Sequence, residues 1–317
     1  MGGRVDAVLR AAKQFVRRPR ATLLLAAQLE AGNGRAVGNI LQAELPRDEC
    51  LIAATRLASP DQLIITFERD GLTWTTDLGD EIGMSLYRTG SYEKAEIDAL
   101  VLYFADERPP GRFPVVVDIG ANVGTTSIPL AQAGYDVTAV EPIPSTFAML
   151  RTNVMRNAFG DRIRCVRKAV WSEPGPLSLW VTSSSGLSTV AAENRTPSFS
   201  RLDEYPLVAT VEVEAVRLDD LVDDPTAVAF VWCDTEGAEA DVLQSGTQLW
   251  SVGVPLYTEI TRNEGSTRFV DVAMRTFRGF LSRDDLVRGL NSTRPVDELR
   301  GFVEAIESGY TNLLLLP

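Results

Sequence analysis

The sequence contains no histidine among its 317 residues. This absence excludes Ser-His-Asp and Cys-His catalysis, histidine-ligated metal centres and a histidine general base. Proton transfer must therefore use carboxylates, lysine, tyrosine, cysteine or water. The three cysteines, Cys50, Cys165 and Cys233, are far apart and form no Cys-x-x-Cys pair. They are typical of reduced thiols packed in a cytoplasmic protein, not of disulfides or metal ligands.

The chain also lacks an apolar run of the ~20 residues that cross a bilayer, so no transmembrane helix is expected. Positive charge is scarce: lysine and arginine number 31 against 43 aspartates and glutamates, giving a net charge of −12. Such a surface repels phosphate backbones, which disfavours nucleic acid as a partner. With 45% hydrophobic and 23% charged residues, the composition is that of a globular protein.

The N-terminal section predicts an extension of helices and one hairpin. In the first thirty residues, basic residues precede a short apolar stretch at 21–27, as in a secretory signal. Helical spacing of apolar residues favours an amphipathic helix instead, with contact to an anionic membrane or a partner as an alternative. Residues 1–57 are predicted to be helical, and alternation around Asp70-Gly71 predicts a hairpin over 62–78. A helix is predicted over 92–105.

The Pro-Pro-Gly run at 109–111 marks the predicted boundary between residues 1–110 and 111–317. Beyond it, short continuous apolar runs alternate with helix-length amphipathic segments, which predicts a parallel sheet covered by helices on both faces. Strands are expected at 115–119, 137–140, 162–166, 227–233, 254–260 and 312–316, and helices at 125–133, 145–157, 237–249 and 268–278. Residues 174–213 are expected to be an irregular insert with a strand at 177–181.

The first segment with chemical content is a strand that runs into a glycine-rich turn and a helix. Gly120 and Gly124 allow close approach of a ligand, and the N–H groups of the following helix attract an anionic group. Asp118 ends the strand, where open α/β sheets bind ligands. Asn122 replaces the middle glycine of the dinucleotide fingerprint, and Asp118 would repel a pyrophosphate. This pattern disfavours a nicotinamide-dependent oxidoreductase and suits a ligand with an ammonium group.

Two further segments carry carboxylates. Glu141 closes the second strand and can accept both hydroxyls of a ribose, although nicotinamide enzymes use the same device. Asp234, Glu236 and Glu239 crowd around the end of a later strand. A helix start lowers the pKa of Glu236, whereas neighbouring like charges and desolvation raise it. These acids could take part in catalysis, or they could only stabilise the helix by interacting favourably with its macrodipole.

Together these segments resemble the FkbM family of S-adenosylmethionine-dependent methyltransferases. The resemblance rests on residues 118–124, Glu141-Pro142, the run 216–221 and residues 234–239, with a Gly-x-Tyr-Glu stretch at 90–93 further upstream. It covers about residues 85–260. It implies an α/β, Rossmann-like class I methyltransferase fold: a seven-stranded, mostly parallel sheet whose last strand is antiparallel.

The resemblance also implies residue roles. The methionine end of the cofactor S-adenosylmethionine is expected at Asp118, Gly120, Ala121, Asn122 and Gly124, the ribose at Glu141 and Pro142, and the adenine at Lys168 and Ala169, although many relatives have Asn where Lys168 stands. Glu236 is the first candidate base and Asp234 the second, with Asp234 also a cofactor contact. Candidate substrate residues are Tyr92, Glu93, Ser188, Glu239, Tyr257 and Glu259. Transfer without a metal is expected.

The family implies O-methylation of a small or glycosylated metabolite, such as a sugar or a polyketide-derived natural product. The alternatives are an N-methyltransferase on the same cofactor and a cofactor-binding module without catalysis. The N-terminal section could cap the pocket, form a homo-oligomer interface or bind a partner enzyme.

Overall fold

The computed structural model describes residues 64–78, 81–105, 114–182, 186, 188–191, 207–261, 264–290, 292–307 and 309–317. The helices predicted within 1–57, the basic segment and Cys50 lie outside these residues. The chain divides into two compact units, Met1–Gly90 and Ser91–Pro317. The helix that follows Gly90 is therefore part of the second unit, although it precedes the boundary proposed near residue 110.

The first unit contains a hairpin and a helix. Strand β1 (Ile64–Arg69) pairs antiparallel with β2 (Leu72–Asp77). Asp70 and Gly71 have φ of 52° and 78°, and positive φ at both positions is what a type I′ turn requires. The predicted hairpin is thus confirmed. Helix α1 (Glu81–Thr89), which the sequence reading missed, follows the hairpin.

The second unit alternates helices and strands. Its helices are α2 (Lys94–Tyr103), α3 (Ser127–Gln132), α4 (Pro144–Arg156), α5 (Glu239–Ser245), α6 (Thr247–Ser251), α7 (Glu264–Thr276), α8 (Arg283–Val287) and α9 (Leu299–Glu304). Its strands are β3 (Val115–Ile119), β4 (Asp136–Val140), β5 (Ile163–Val166), β6 (Ala169–Val170), β7 (Gly175–Thr182), β8 (Thr189–Val190), β9 (Leu207–Val216), β10 (Val228–Cys233), β11 (Leu256–Thr261), β12 (Gly279–Ser282), β13 (Arg294–Pro295) and β14 (Tyr310–Leu316).

The main sheet has the strand order β13-β12-β14-β11-β10-β3-β4-β5. Strands β5, β4, β3, β10 and β11 are parallel, while β14 runs antiparallel to both β11 and β12. This is the predicted Rossmann-like sheet of seven strands with a reversed last strand. The two-residue β13 adds an eighth strand at one edge.

The central strands are buried on both faces, which explains their continuous apolar sequence. Val116, Val117 and Val231 are 0% exposed. Across the sheet, Asp118 of β3 pairs with Trp232 of β10, and Trp232 pairs with Tyr257 of β11. Paired residues point to the same face, so these three side chains lie in one row near the carboxyl ends of the strands.

The insert is more regular than predicted. Instead of an irregular segment over 174–213, β7 pairs antiparallel with the long strand β9, and β6 and β8 complete a four-stranded sheet. The helix predicted over 237–249 is interrupted at Gly246, where a Cβ would lie 2.7 Å from the Trp250 ring. Strand β12 was also missed.

Candidate active site

The glycine-rich turn between β3 and α3 is held tightly by its neighbours. The N–H groups of Gly120 and Ala121 both donate to the Val140 carbonyl oxygen at 3.0 Å. Gly120 has φ of 85°, and a Cβ there would lie 1.8 Å from the Asp234 carbonyl oxygen. Asn122 and Gly124 also have positive φ, 49° and 98°. Only a residue without a side chain fits at Gly120, so the turn brings the ends of β3 and β10 into contact.

Asp118 lies at the end of β3 and is 1% exposed. One carboxylate oxygen, Oδ2, accepts a hydrogen bond from the Ser127 hydroxyl. The other, Oδ1, has no hydrogen-bond partner within the described residues. Burial raises the pKa of Asp118 to about 7, the Ser127 hydrogen bonds oppose the shift, and the charge of Asp234 adds to it. A buried acceptor in this state suits a ligand that donates hydrogen bonds or carries positive charge.

Glu141 directly follows β4 and faces the same turn. Its Oε2 accepts the Asn122 backbone N–H at 3.2 Å, and its Oε1 accepts the Ile143 N–H at 2.8 Å. Burial raises its pKa to about 7, although both hydrogen bonds act in the opposite direction. Each carboxylate oxygen keeps a further lone pair, so Glu141 can still accept two hydroxyl groups. Asp118 and Glu141 together fit a nucleoside that bears an ammonium group.

The segment after β10 carries three acids with different surroundings. Asp234 is half-buried, and burial followed by the charge of Glu239 raises its pKa to about 7. Glu236 has φ of 50°, and its carbonyl oxygen accepts the Thr189 hydroxyl at 2.6 Å. Glu239 accepts the Gly237 N–H at 2.9 Å and the Thr235 hydroxyl at 3.1 Å. Glu239 therefore orders the turn before α5.

Glu93 and Glu259 join Asp234 from other segments. Glu93 immediately precedes α2, and burial raises its pKa well above its usual range, with Asp234, Glu96, Glu259 and Asp118 adding to the shift. Burial raises the pKa of Glu259 to about 8, and the charges of Asp234 and Glu239 add to it. The structure thus brings the predicted residues Glu93, Asp118, Asp234 and Glu259 into one electrostatically linked group.

The aromatic candidates take supporting positions. Tyr257 is 1% exposed, and its ring centroid lies 4.6 Å from that of Trp232. Burial raises the pKa of its hydroxyl well above the usual range. Tyr257 and Trp232 therefore form an aromatic layer, and each precedes one of the acids, Glu259 and Asp234, by two residues along the chain. Tyr92 is half-buried beside Glu93.

The remaining candidates lie around the insert. Lys168 forms an ion pair with Glu214 at 2.7 Å, and Ala169 is buried in β6, paired with Ala215 of β9. Pro142 is half-buried and leads into α4. The Ser188 Oγ is buried, and no described residue hydrogen-bonds to it.

Three contributing residues were not singled out from the sequence. Ser127 binds Asp118, and the Asn153 amide donates to the Val123 carbonyl at 2.8 Å, which ties the turn to α4. Arg283 pairs with the buried Glu96 next to Glu93. Asn153 could have been identified from the sequence as a polar residue in an otherwise apolar helix face. No local sequence feature identifies Arg283.

A cavity of about 470 Å³ opens at the other end of the sheet, at the amino ends of the central strands. Its lining includes Tyr103, Pro114, Val228 and Pro255. It contains none of the predicted site residues, so it is separate from the carboxylate group.

Within the described ranges, no set of three or more acidic or cysteine side chains is arranged to hold a metal ion. In the same part of the chain, every helix is too short or too polar to cross a bilayer.

Comparison with known proteins identifies relatives of the second unit. Residues 118–282, more than half of the chain, match the model of the Methyltransferase FkbM domain. The 2-O-methyltransferase NoeI of Sinorhizobium fredii is 27% identical over 161 residues, which are 48% of this chain and 65% of NoeI. The match thus spans less than two thirds of that relative.

Solved structures show more distant likeness. TYW2 of P. horikoshii in complex with MeSAdo has a TM-score of 0.40 and 13% identity, over 82% of this chain and 72% of that chain. TYW2 of M. jannaschii in complex with AdoMet has a TM-score of 0.39 and 10% identity, over 80% and 85%.

Proposed function

The chain belongs to the FkbM methyltransferase family, and we propose that it methylates a hydroxyl group of a small metabolite, in the class of sugars and glycosylated or polyketide-derived natural products. Its cofactor is S-adenosylmethionine, which FkbM methyltransferases use. The observation that carries the proposal is that the buried carboxylates of Asp118 and Glu141 both lie at the same glycine-rich turn. The similarity to a 2-O-methyltransferase favours oxygen as the methyl acceptor.

The proposed cofactor contacts follow from the chemistry of each position. The Oδ1 of Asp118, which has no partner among the described residues, would accept the ammonium group. The backbone of the turn would surround the methionine end at Gly120, Ala121, Asn122 and Gly124. Glu141 would accept the ribose hydroxyls beside Pro142. Ala169 offers an apolar contact for adenine, whereas Lys168 is held by Glu214, so its contribution would be limited to its aliphatic stem.

When bound, S-adenosylmethionine supplies an electrophilic methyl group. The protein's part is to align the acceptor hydroxyl, exclude water and take its proton. Asp234 supports this last role best, because its pKa of about 7 lies near the working pH of a general base. Glu236, the first candidate from the sequence, remains the alternative base.

The cofactor assignment is tested by calorimetric titration with S-adenosylmethionine, S-adenosylhomocysteine and NAD. Both adenosyl ligands are expected to bind with micromolar affinity, and NAD is not. Asp118→Ala and Glu141→Ala should each weaken binding at least tenfold, because each removes a buried acceptor. Asp297→Ala, at an exposed acid far along the chain, serves as the control. Binding of NAD alone would refute the assignment.

The base is tested by methyl-transfer assays against a panel of free sugars and glycosides. We expect Asp234→Asn to lose turnover by ~100-fold or more while retaining cofactor affinity. Glu236→Gln should retain both. The reverse result would assign the base to Glu236. If turnover is unchanged in both variants, the proposal that this segment supplies the general base is refuted.

A further inference from the structure

Glu93, Asp234 and Glu259, from three distant segments, act electrostatically on one another near the carboxyl edge of the sheet. Asp234 and Glu259 lie two residues beyond Trp232 and Tyr257, which are paired neighbours on β10 and β11. Because side chains alternate along a strand, Glu259 points to the same face as Tyr257. Asp234 directly follows β10, and its backbone N–H donates to the Ile119 carbonyl oxygen of β3 at 2.9 Å. Glu93 approaches from the start of α2, and the charges of Asp234 and Glu259 both act on it.

The charged and titratable groups around these three residues are mostly acidic. Asp118 and Glu96 act on Glu93, and Glu239 acts on Asp234 and Glu259. Tyr257 and Arg283 complete the surroundings, and Arg283 is paired with Glu96. Within the described residues, no lysine or arginine lowers the pKa of Glu93, Asp234 or Glu259.

A second observation indicates what compensates this negative charge. Asp118 acts electrostatically on Glu93 and is itself affected by the charge of Asp234. It is 1% exposed and keeps Oδ1 without a partner among the described residues. A buried, unsatisfied acceptor next to several acids is unfavourable unless a proton or a cation is present. These acids are therefore expected to hold protons in the free protein and to release them when a positively charged ligand binds.

We propose that Glu93, Asp234 and Glu259 form one proton-holding unit that releases a proton when the positively charged methyl donor binds and is thereby prepared to accept the proton of the acceptor hydroxyl. This inference rests on the proposed function, since it takes S-adenosylmethionine as the donor. It adds Glu93 and Glu259 to Asp234 as groups that share the catalytic proton.

The direction of the effect follows from electrostatics. In the free protein the pKa of Asp234 is about 7 and that of Glu259 about 8, so the unit is partly protonated near neutral pH. A nearby positive charge favours the carboxylate forms and lowers these pKa values. The proton then passes to solvent. A ligand whose sulfur is neutral leaves the pKa values high, so the unit keeps its proton.

This order of proton release and proton uptake also accounts for the proton that the methyl-transfer reaction produces. The acceptor hydroxyl forms its bond to the methyl carbon, and the electron pair of the broken carbon–sulfur bond stays on sulfur. The hydroxyl proton passes to the unit and restores the protonated state that the unit has beside neutral sulfur. One proton has by then left for solvent, as the overall reaction requires.

The experiment is calorimetric titration of the full chain at pH 7.5 in phosphate and in Tris, whose ionisation enthalpies differ. The dependence of the binding enthalpy on buffer gives the number of protons released. We expect S-adenosylmethionine to release roughly half to one proton more than S-adenosylhomocysteine. The excess should shrink above about pH 9, where the unit is already ionised in the free protein.

Variants assign the proton to the unit. Glu93→Gln and Glu259→Gln should each reduce the excess, and the double variant should reduce it most. Glu298→Gln, an exposed acid in the turn before α9, should leave it unchanged. Equal proton release for both ligands in the wild-type protein would overturn the inference, and that measurement needs no variant to fold. If neither ligand binds, the proposed function itself fails, which is a different result.

Discussion

At the residue scale, Gly120 shows most directly how one position shapes the site. Two constraints act there: a positive φ, which disfavours any side chain, and the Asp234 carbonyl oxygen at 1.8 Å from an ideal Cβ. Gly289 has a similar φ of 69°, but among the described residues no atom beyond its chain neighbours lies within 4 Å of its ideal Cβ position. Substituting Gly120 and Gly289 in turn therefore distinguishes the cost of backbone strain alone from the added cost of a steric clash.

We predict that Gly120→Ala lowers the free energy of unfolding by about 2–4 kcal/mol, of which about 1 kcal/mol is backbone strain and the rest overpacking. Gly289→Ala should cost only about 1 kcal/mol. Urea denaturation followed by circular dichroism measures both. Equal losses would mean that the approach to Asp234 is easily relieved. Any folded Gly120→Ala should also bind S-adenosylhomocysteine more weakly, because the turn must shift.

The glycine-rich turn between β3 and α3 was predictable from the sequence because its signal is local. Asp118 lies near the end of β3 and Glu141 directly follows β4, and consecutive parallel strands place such ends together. Glu93 and Glu259 were named as substrate candidates, but their linkage to Asp234 was not. That linkage depends on how α2 and β11 approach β10, which no short spacing encodes. The Lys168–Glu214 pair likewise depends on β9, which was not predicted.

At the element scale, an ion pair joins α8 to α2, the helix that begins directly after Glu93. The Glu96 side chain is 7% exposed, whereas that of Arg283 is 40% exposed. Removing the arginine leaves a buried carboxylate without its partner, while removing both charges does not. The surface pair of Arg300 and Asp271, with side chains 43% and 46% exposed, offers a comparison.

We predict that Arg283→Met lowers the free energy of unfolding by about 1–3 kcal/mol, less than for a fully buried pair because Arg283 is partly solvated. The double variant Glu96→Gln with Arg283→Met should recover most of this loss. Arg300→Met should cost less than about 1 kcal/mol. A double-mutant cycle in urea gives the coupling. A double variant less stable than Arg283→Met alone would contradict this account.

Elements with both faces buried were the easiest to locate. The prediction for β3 matches its bounds, and those for β4, β10 and β14 differ by one or two residues, because continuous apolar runs bounded by polar turns are distinctive. Strand β9 was missed because residues 207–212 are largely exposed and include Thr210 and Glu212. Strand β12 was missed because it has only four residues.

At the scale of the whole molecule, the position of α2 decides where the second unit begins. Ile97, Leu100 and Phe104 are 3%, 0% and 2% exposed, and the Phe104 ring stacks on Phe230 of β10 with centroids 5.0 Å apart. Each such side chain contributes about 1.5–3 kcal/mol by burial. The sequence placed the boundary at the Pro-Pro-Gly run, where turn residues are conspicuous, whereas the packing of α2 continues across it.

We predict that residues 91–317 fold alone and bind S-adenosylhomocysteine with the affinity of the full chain, since all proposed cofactor contacts lie in this unit. Residues 111–317 lack α2, and the lost burial is comparable to the ~5–15 kcal/mol that stabilises a typical domain. We therefore expect this fragment to aggregate or to melt roughly 15 °C lower or more, as measured by thermal circular dichroism. Equal stability of the two fragments would restore the boundary near residue 110. Weaker binding of S-adenosylhomocysteine by residues 91–317 than by the full chain would contradict the prediction.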